Sequence, residues 1–475
     1  MIERIDTRMS IQTLLWRVGV ISTSLLACGQ PSDEESGGLR PAVQYAVTEN
    51  GMVEQAVDMT SIAIAEPEYA PDWREVRAQN GTRSVERHFL PRTNPLDLSF
   101  YSFGRAGRTF PTKTTQVGVE VDGLSPWVNG DTLQVVAPNV GLSIMGLDAH
   151  FTYPEVGATA VANRTLNWRA AESPLIDAAR GDVTTWVAQM SFSVEQGTST
   201  LTRSGVARGF VVRDGESSTL SATLQPVAQD RRFGLRWHGD EFAALAAQAG
   251  AGVRAASQPQ VTVQALPAAV AGVNQFHRSA YGYLPTLVSV LGLTGDQFRD
   301  RTIPYGNPFT TAGARWTELV TTVYAMPATI RGFGSMTARV MQATPLAGRT
   351  EVDLAPVLSP VRDVQIDGRA ATEPLAGVGT TPTLTWLAPA VGTPTGYEVT
   401  VYEAVTVGDS RRINKVATFY TRGTKLDVPA TVLDRSPVVF NITAVMSPGR
   451  DRAKTPFQGS LPFASTDYLT SVVVP

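Results

Sequence analysis

Gly396-Tyr397-Glu398-Val399-Thr400-Val401-Tyr402 alternates side chains at a period of two. In a strand, successive side chains point to opposite faces, so Tyr397, Val399 and Val401 share one face and Glu398, Thr400 and Tyr402 the other. Just upstream, Pro382-Thr383-Leu384-Thr385-Trp386 puts Leu384 and Trp386 on one face, and a loop with Pro389, Gly392 and Pro394 separates the two strands. The same alternation recurs in Val117-Gly118-Val119-Glu120-Val121 and in Val261-Thr262-Val263-Gln264-Ala265. Turn signals stand between such runs, at Asp122-Gly123, Asn129-Gly130-Asp131, Asp214-Gly215 and Asp367-Gly368. A hairpin is predicted from Gly209 to Leu224, turning at Asp214-Gly215, with Phe210 and Val212 inward on one arm and Leu220, Ala222 and Leu224 on the other. Short strands with Gly and Pro in the turns predict an all-β chain of several antiparallel β-sandwich domains in series, with few short helices.

Two helices are expected as connectors. One runs from Asp240 to Ala249, capped by Asp240, with Phe242, Leu245, Ala246 and Ala249 as its apolar stripe and Gly250 at its end. The other, around Thr294 to Phe298, has capping-box spacing between Thr294 and Gln297. Residues 41–230 read as a β-sandwich region of one or two domains and 231–357 as a β-rich domain with the short helices. Residues 358–475 form the best-defined domain.

That last segment resembles a fibronectin type III domain. The resemblance rests on Trp386 in an early strand, Gly396-Tyr397 opening the next and Leu426 in a later one, followed by Leu433 ahead of the strand Val439-Phe440-Asn441-Ile442-Thr443-Ala444. It implies a two-sheet sandwich with Trp386 and Tyr397 in the core. Where the family places a corner tyrosine, this chain has Val438.

The 475-residue chain contains one cysteine, Cys28. It follows the apolar run Val18–Ala27, preceded by Arg17, and this run is too short to span a bilayer. The segment resembles a bacterial lipoprotein signal peptide, residues 1–27. The resemblance implies lipidation of Cys28, cleavage before it and a lipid-anchored envelope protein, and Gly29 after the cysteine favours the outer membrane. Residues 28–40, with Gly29-Gln30-Pro31-Ser32-Asp33-Glu34-Glu35-Ser36-Gly37-Gly38, are too polar to fold and read as a flexible tether. The expected membrane contact is the lipid on Cys28.

Composition narrows the remainder. A net charge of −3 from 40 basic and 43 acidic residues supplies no basic field, so nucleic-acid binding is disfavoured. With its single thiol acylated, the chain can form neither an internal disulfide nor a thiolate metal site. Nucleophile-elbow, zinc-protease, phosphate-loop and dinucleotide motifs are absent from the sequence, and no cofactor, metal or catalytic residue is assigned. The nearest acid/base grouping is His238-Gly239-Asp240-Glu241, whose favoured reading is an acidic helix N-terminus. Asp296 and Asp300 make only a weak calcium signal.

One region suggests binding. Tyr281, Tyr283, Tyr305, Phe309 and Trp316 cluster around Ile303-Pro304-Tyr305-Gly306-Asn307-Pro308-Phe309, and aromatic rings on loops can offer flat faces to a sugar or a protein. Core packing of most of these rings is the favoured reading, since the aromatic content is ordinary. The expected function is a non-catalytic interaction or structural lipoprotein binding an envelope protein. The alternatives are a carbohydrate-binding surface lipoprotein, if that aromatic cluster is exposed, or a hydrolase of polysaccharide or peptide.

Overall fold

The computed structural model describes residues 43–48, 51–56, 62–79, 85–92, 101–103, 109–137, 142–145, 153–168, 173–180, 184–255, 259–268, 284–290, 293, 301–309, 315–346, 348–407, 410–434 and 436–475. Among them the architecture is all-β, with one short α-helix, Gly239–Ala244.

The quoted strand is the centre of a sandwich. Gly396–Val407 pairs antiparallel with Ser410–Thr421 on one side and Val438–Met446 on the other, and Phe463–Leu469 follows beyond Val438–Met446. Opposite lies a four-stranded sheet in the order Arg369–Ala370, Arg362–Ile366, Thr383–Leu387, Lys425–Asp427. Trp386 and Tyr397, both buried, meet edge to face between the layers with ring centroids 5.4 Å apart, a favoured geometry for quadrupolar rings. This is the two-sheet sandwich the fibronectin resemblance implies. Val438 is buried where the corner tyrosine would stand, so no hydroxyl is available there for a corner bond.

Two further sandwiches precede it, each with a three-stranded outer sheet. In one, Gln116–Asp122 lies between Ala160–Asn167 and Ser217–Thr223 and closes on a core containing Trp127 and Trp168. In the next, Arg231–Trp237 lies between Arg301–Tyr305 and Glu351–Leu354 over a core where Trp237 stacks on Phe242 at 4.4 Å.

All three outer sheets face a single hydrogen-bonded ladder of 18 strands. From the first sandwich, Thr198–Arg208 pairs with Thr286–Val290 of the second. From the second, Gly334–Pro345 pairs with Phe463–Leu469 of the third. Lateral fusion removes the exposed strand edges that separate sandwiches would present, which are templates for aggregation. The ladder ends on N-terminal strands: Val85–Pro91 lies parallel to Ser410–Thr421, then come Trp73–Gln79 and Ile62–Ala65.

The structure corrects two local expectations. Asp214-Gly215 does turn, with Gly215 at φ 76°, but its arms are not a hairpin. Ser217–Thr223 pairs in parallel with Gln116–Asp122, and Val212 bridges to Ile176. The predicted inward residues are buried all the same, because alternation fixes a face without fixing the neighbour. Asp240 is not the helix cap. His238 occupies that position with no side-chain capping bond, and the α-helix ends at Ala244 before a 3₁₀ turn, Leu245–Gln248. Phe242, Leu245, Ala246 and Ala249 are nevertheless buried, as the stripe predicts. The expected helix at Thr294–Phe298 lies outside the described residues.

Candidate functional site

Of the residues singled out by sequence, Cys28, Tyr281, Tyr283, Asp296 and Asp300 lie outside the described residues. Tyr305 and Phe309 are buried, at 3% and 0% exposure. These two rings therefore pack in the core, the reading favoured from the sequence, and do not offer open faces. Tyr305 donates its hydroxyl to Glu318 Oε2 at 2.6 Å, Asn307 donates to Glu318 Oε1 at 2.9 Å, and Arg231 pairs with the same carboxylate. Asn307 Oδ1 also accepts from the Phe309 backbone N–H at 3.0 Å, turning the loop inward. Burial pushes the Tyr305 phenol above its usual range, so it remains a donor. Phe309 lies edge-on to Trp186, with ring centroids 5.9 Å apart, and the half-buried Trp316 closes over it at 5.5 Å. These rings brace the second sandwich.

His238 is bracketed by carboxylates. Its Nδ1 stands 3.1 Å from Glu241 and its Nε2 2.6 Å from Asp353. The two acids address opposite ring nitrogens, so an ion bound to one nitrogen could reach only one of them. Among the described residues no group of three or more metal-binding side chains is assembled.

The structure instead brings together a cleft that sequence reading missed. It has a volume of about 460 Å³ and is lined by Tyr69, Arg77, Arg87 and Thr431. Strands Trp73–Gln79 and Val85–Pro91 place Arg77 directly opposite Arg87, a cross-strand like-charge pair that is unfavourable unless bridged. Glu75, fully buried, is the bridge. Its Oε1 accepts from Arg77 Nε at 3.0 Å and Arg87 Nε at 2.7 Å, and its Oε2 accepts from Arg77 Nη2 at 3.2 Å and the Tyr69 hydroxyl at 2.6 Å. Burial by itself would push this carboxyl up. The hydrogen bonds from Arg77, Tyr69 and Arg87 outweigh it together and hold the group at about 2.

Thr431 reaches the cleft from the third sandwich, more than 300 positions along the chain. Its φ of 70° is in the left-handed region, where a β-branched side chain is strained. The one sequence cue was three charges in Arg74-Glu75-Val76-Arg77, which break the inward alternation of that strand. No local pattern points from there to Arg87 or Thr431.

No family model and no curated protein matches the chain. Among solved structures it is similar to the FN1-FN3 domains of chicken CNTN1, at 9% identity over 73% of this chain and 91% of that one, with a TM-score of 0.13. It is also similar to trypsin-activated alpha-2-macroglobulin from Escherichia coli, at 10% identity and a TM-score of 0.13, covering 88% of this chain but only 26% of that one. Such low scores describe no shared overall arrangement, and the fold rests on the sheets described above.

Proposed function

We propose that this chain is an envelope-anchored, non-catalytic interaction protein, held at a bacterial membrane, the outer one, by lipid on Cys28 and binding a protein partner of the envelope. The observation that carries the reading is the placement of the only cysteine at the end of a short apolar run and ahead of a polar tether. The folded part supports it: three sandwiches fused along one ladder form a preorganised surface, which lowers the ordering cost of binding. Two acyl chains or more would anchor the array stably, where one would be marginal. The carbohydrate reading depended on open aromatic faces, and Tyr305 and Phe309 do not provide them.

The test has two parts. In cells fed labelled fatty acid, Cys28→Ser should abolish incorporation; label retained by the mutant would refute the anchor. The purified protein should bind envelopes of its own organism, and protease treatment of those envelopes should remove the binding. Binding that survives protease would point to polysaccharide and overturn the protein-partner reading.

A further inference from the structure

We infer that the cleft between Tyr69, Arg77, Arg87 and Thr431 is a carboxylate-binding site, and that its occupant is an acidic peptide segment of the protein partner. The second half rests on the interaction reading above; the first stands on the cleft alone.

The argument begins with charge. One buried carboxylate faces two guanidinium groups, so the cluster keeps one net positive charge. Glu75 is buried and can neutralise only one of the two guanidinium charges. Of the five N–H donors on each guanidinium, Arg77 uses two on Glu75 and also addresses the Tyr69 hydroxyl, while Arg87 uses one on Glu75 and one on the Tyr69 hydroxyl at 3.1 Å. Both arginines line the cleft, where the Arg77 and Arg87 side chains are 52% and 22% exposed.

Geometry then selects the ligand. A planar guanidinium whose orientation is fixed by one bidentate bond is preorganised for a second planar acceptor. Phe89 holds Arg87 in place as well, with the guanidinium carbon 5.2 Å from its ring centre. A residual charge of one matches a single carboxylate better than a dianionic phosphate. Thr431 adds an independent observation, since strained backbone on a cleft wall is a recurrent mark of a ligand site.

The experiment titrates the full-length chain in detergent with fluorescent hexaglutamate peptide, using hexalysine as control and inorganic phosphate as competitor. Hexaglutamate should bind and hexalysine should not. Arg77→Gln should weaken binding about tenfold or more, as expected for loss of a charge-assisted bond. Because Arg77 also bonds the buried Glu75, the melting temperature should fall, and binding is therefore compared at a temperature where both chains are folded. Arg77→Lys, which retains the charge without the fork, should fall between the two. Affinity unchanged in Arg77→Gln, or phosphate bound more tightly than the peptide, would overturn the site. Envelope binding separates this inference from the reading it extends. Protease-sensitive binding lost in Arg77→Gln supports both. Protease-sensitive binding that survives Arg77→Gln overturns the acidic-partner assignment and leaves the interaction reading intact.

Discussion

Two residues carry large local consequences. Gly250 sits at φ 106° after the short helix, and a Cβ built there would lie 1.9 Å from the backbone oxygen of Leu469. The contact is needed, because Ala251 N donates to Leu469 O and Leu469 N to Ala249 O, both at 2.9 Å, tying the second sandwich to the third. Gly250→Ala therefore adds a backbone clash to left-handed strain and should cost about 3 kcal/mol, read as a lower denaturant midpoint at unchanged slope. Glu75 acts through protons. Its ordinary value is 4.5 and its folded value about 2, so between the two the unfolded chain binds more protons than the folded one. The contribution, about 3 kcal/mol, is complete above pH 4.5 and disappears as pH falls toward about 2. Denaturation across that window should show this slope in the parent chain and lose it in Glu75→Gln.

At the level of elements, the docking of Val85–Pro91 on Ser410–Thr421 is narrow, with two register pairs, Thr418↔His88 and Phe419↔Phe89. Packing reinforces it: Phe89 stacks on Phe419 at 4.7 Å, and Trp73 meets Phe419 edge-on at 5.3 Å. His88, buried in the seam, shares a hydrogen bond with the Tyr420 hydroxyl at 3.1 Å. Burial first, and then the charge of Lys415, lowers its pKa well below 6.5. Glu86 on its own strand lies 3.6 Å away and is itself paired with Lys415 at 3.0 Å. Since the docked imidazole stays neutral while the released one takes a proton below 6.5, acid favours release. Protection factors for amide exchange in Val85–Pro91 should fall as pH drops from about 7.5 to about 5.5. His88→Gln, which cannot titrate, should remove that dependence.

For the whole molecule, the shared ladder predicts coupling between cores. The third sandwich joins the second through four register pairs, from Val340↔Thr466 to Ala343↔Phe463, and through the Gly250 contact. The first joins the second through three, Thr198↔Val290 to Thr200↔Val288. Trp386→Ala, which empties part of the third core at a cost of about 3–5 kcal/mol, should therefore lower exchange protection around Trp237 in the second core. Protection around Trp168 in the first core should change least. Protection around Trp237 left untouched would mean the cores unfold independently despite their common sheet.

Much of this was legible in the residues alone. Period-two alternation assigned strand, faces and core side chains in Gly396–Val401, because a pleated strand offers only two faces, and it picked out the buried side chains on both arms flanking Gly215 although only the downstream arm is a strand. The helical stripe and its terminal glycine were legible for the corresponding reason. Alternation contains nothing about which strand lies alongside, so the parallel pairing of Ser217–Thr223, the fusion of three sandwiches into one ladder and the return of Val85–Pro91 to the third sandwich became visible only in the fold. Whether an aromatic loop faces solvent was settled by Glu318, a partner outside the loop. The arginine cleft depended on the fold most of all, since strand pairing sets Arg77 opposite Arg87 and only the tertiary fold brings Thr431, remote in sequence, to the same cleft.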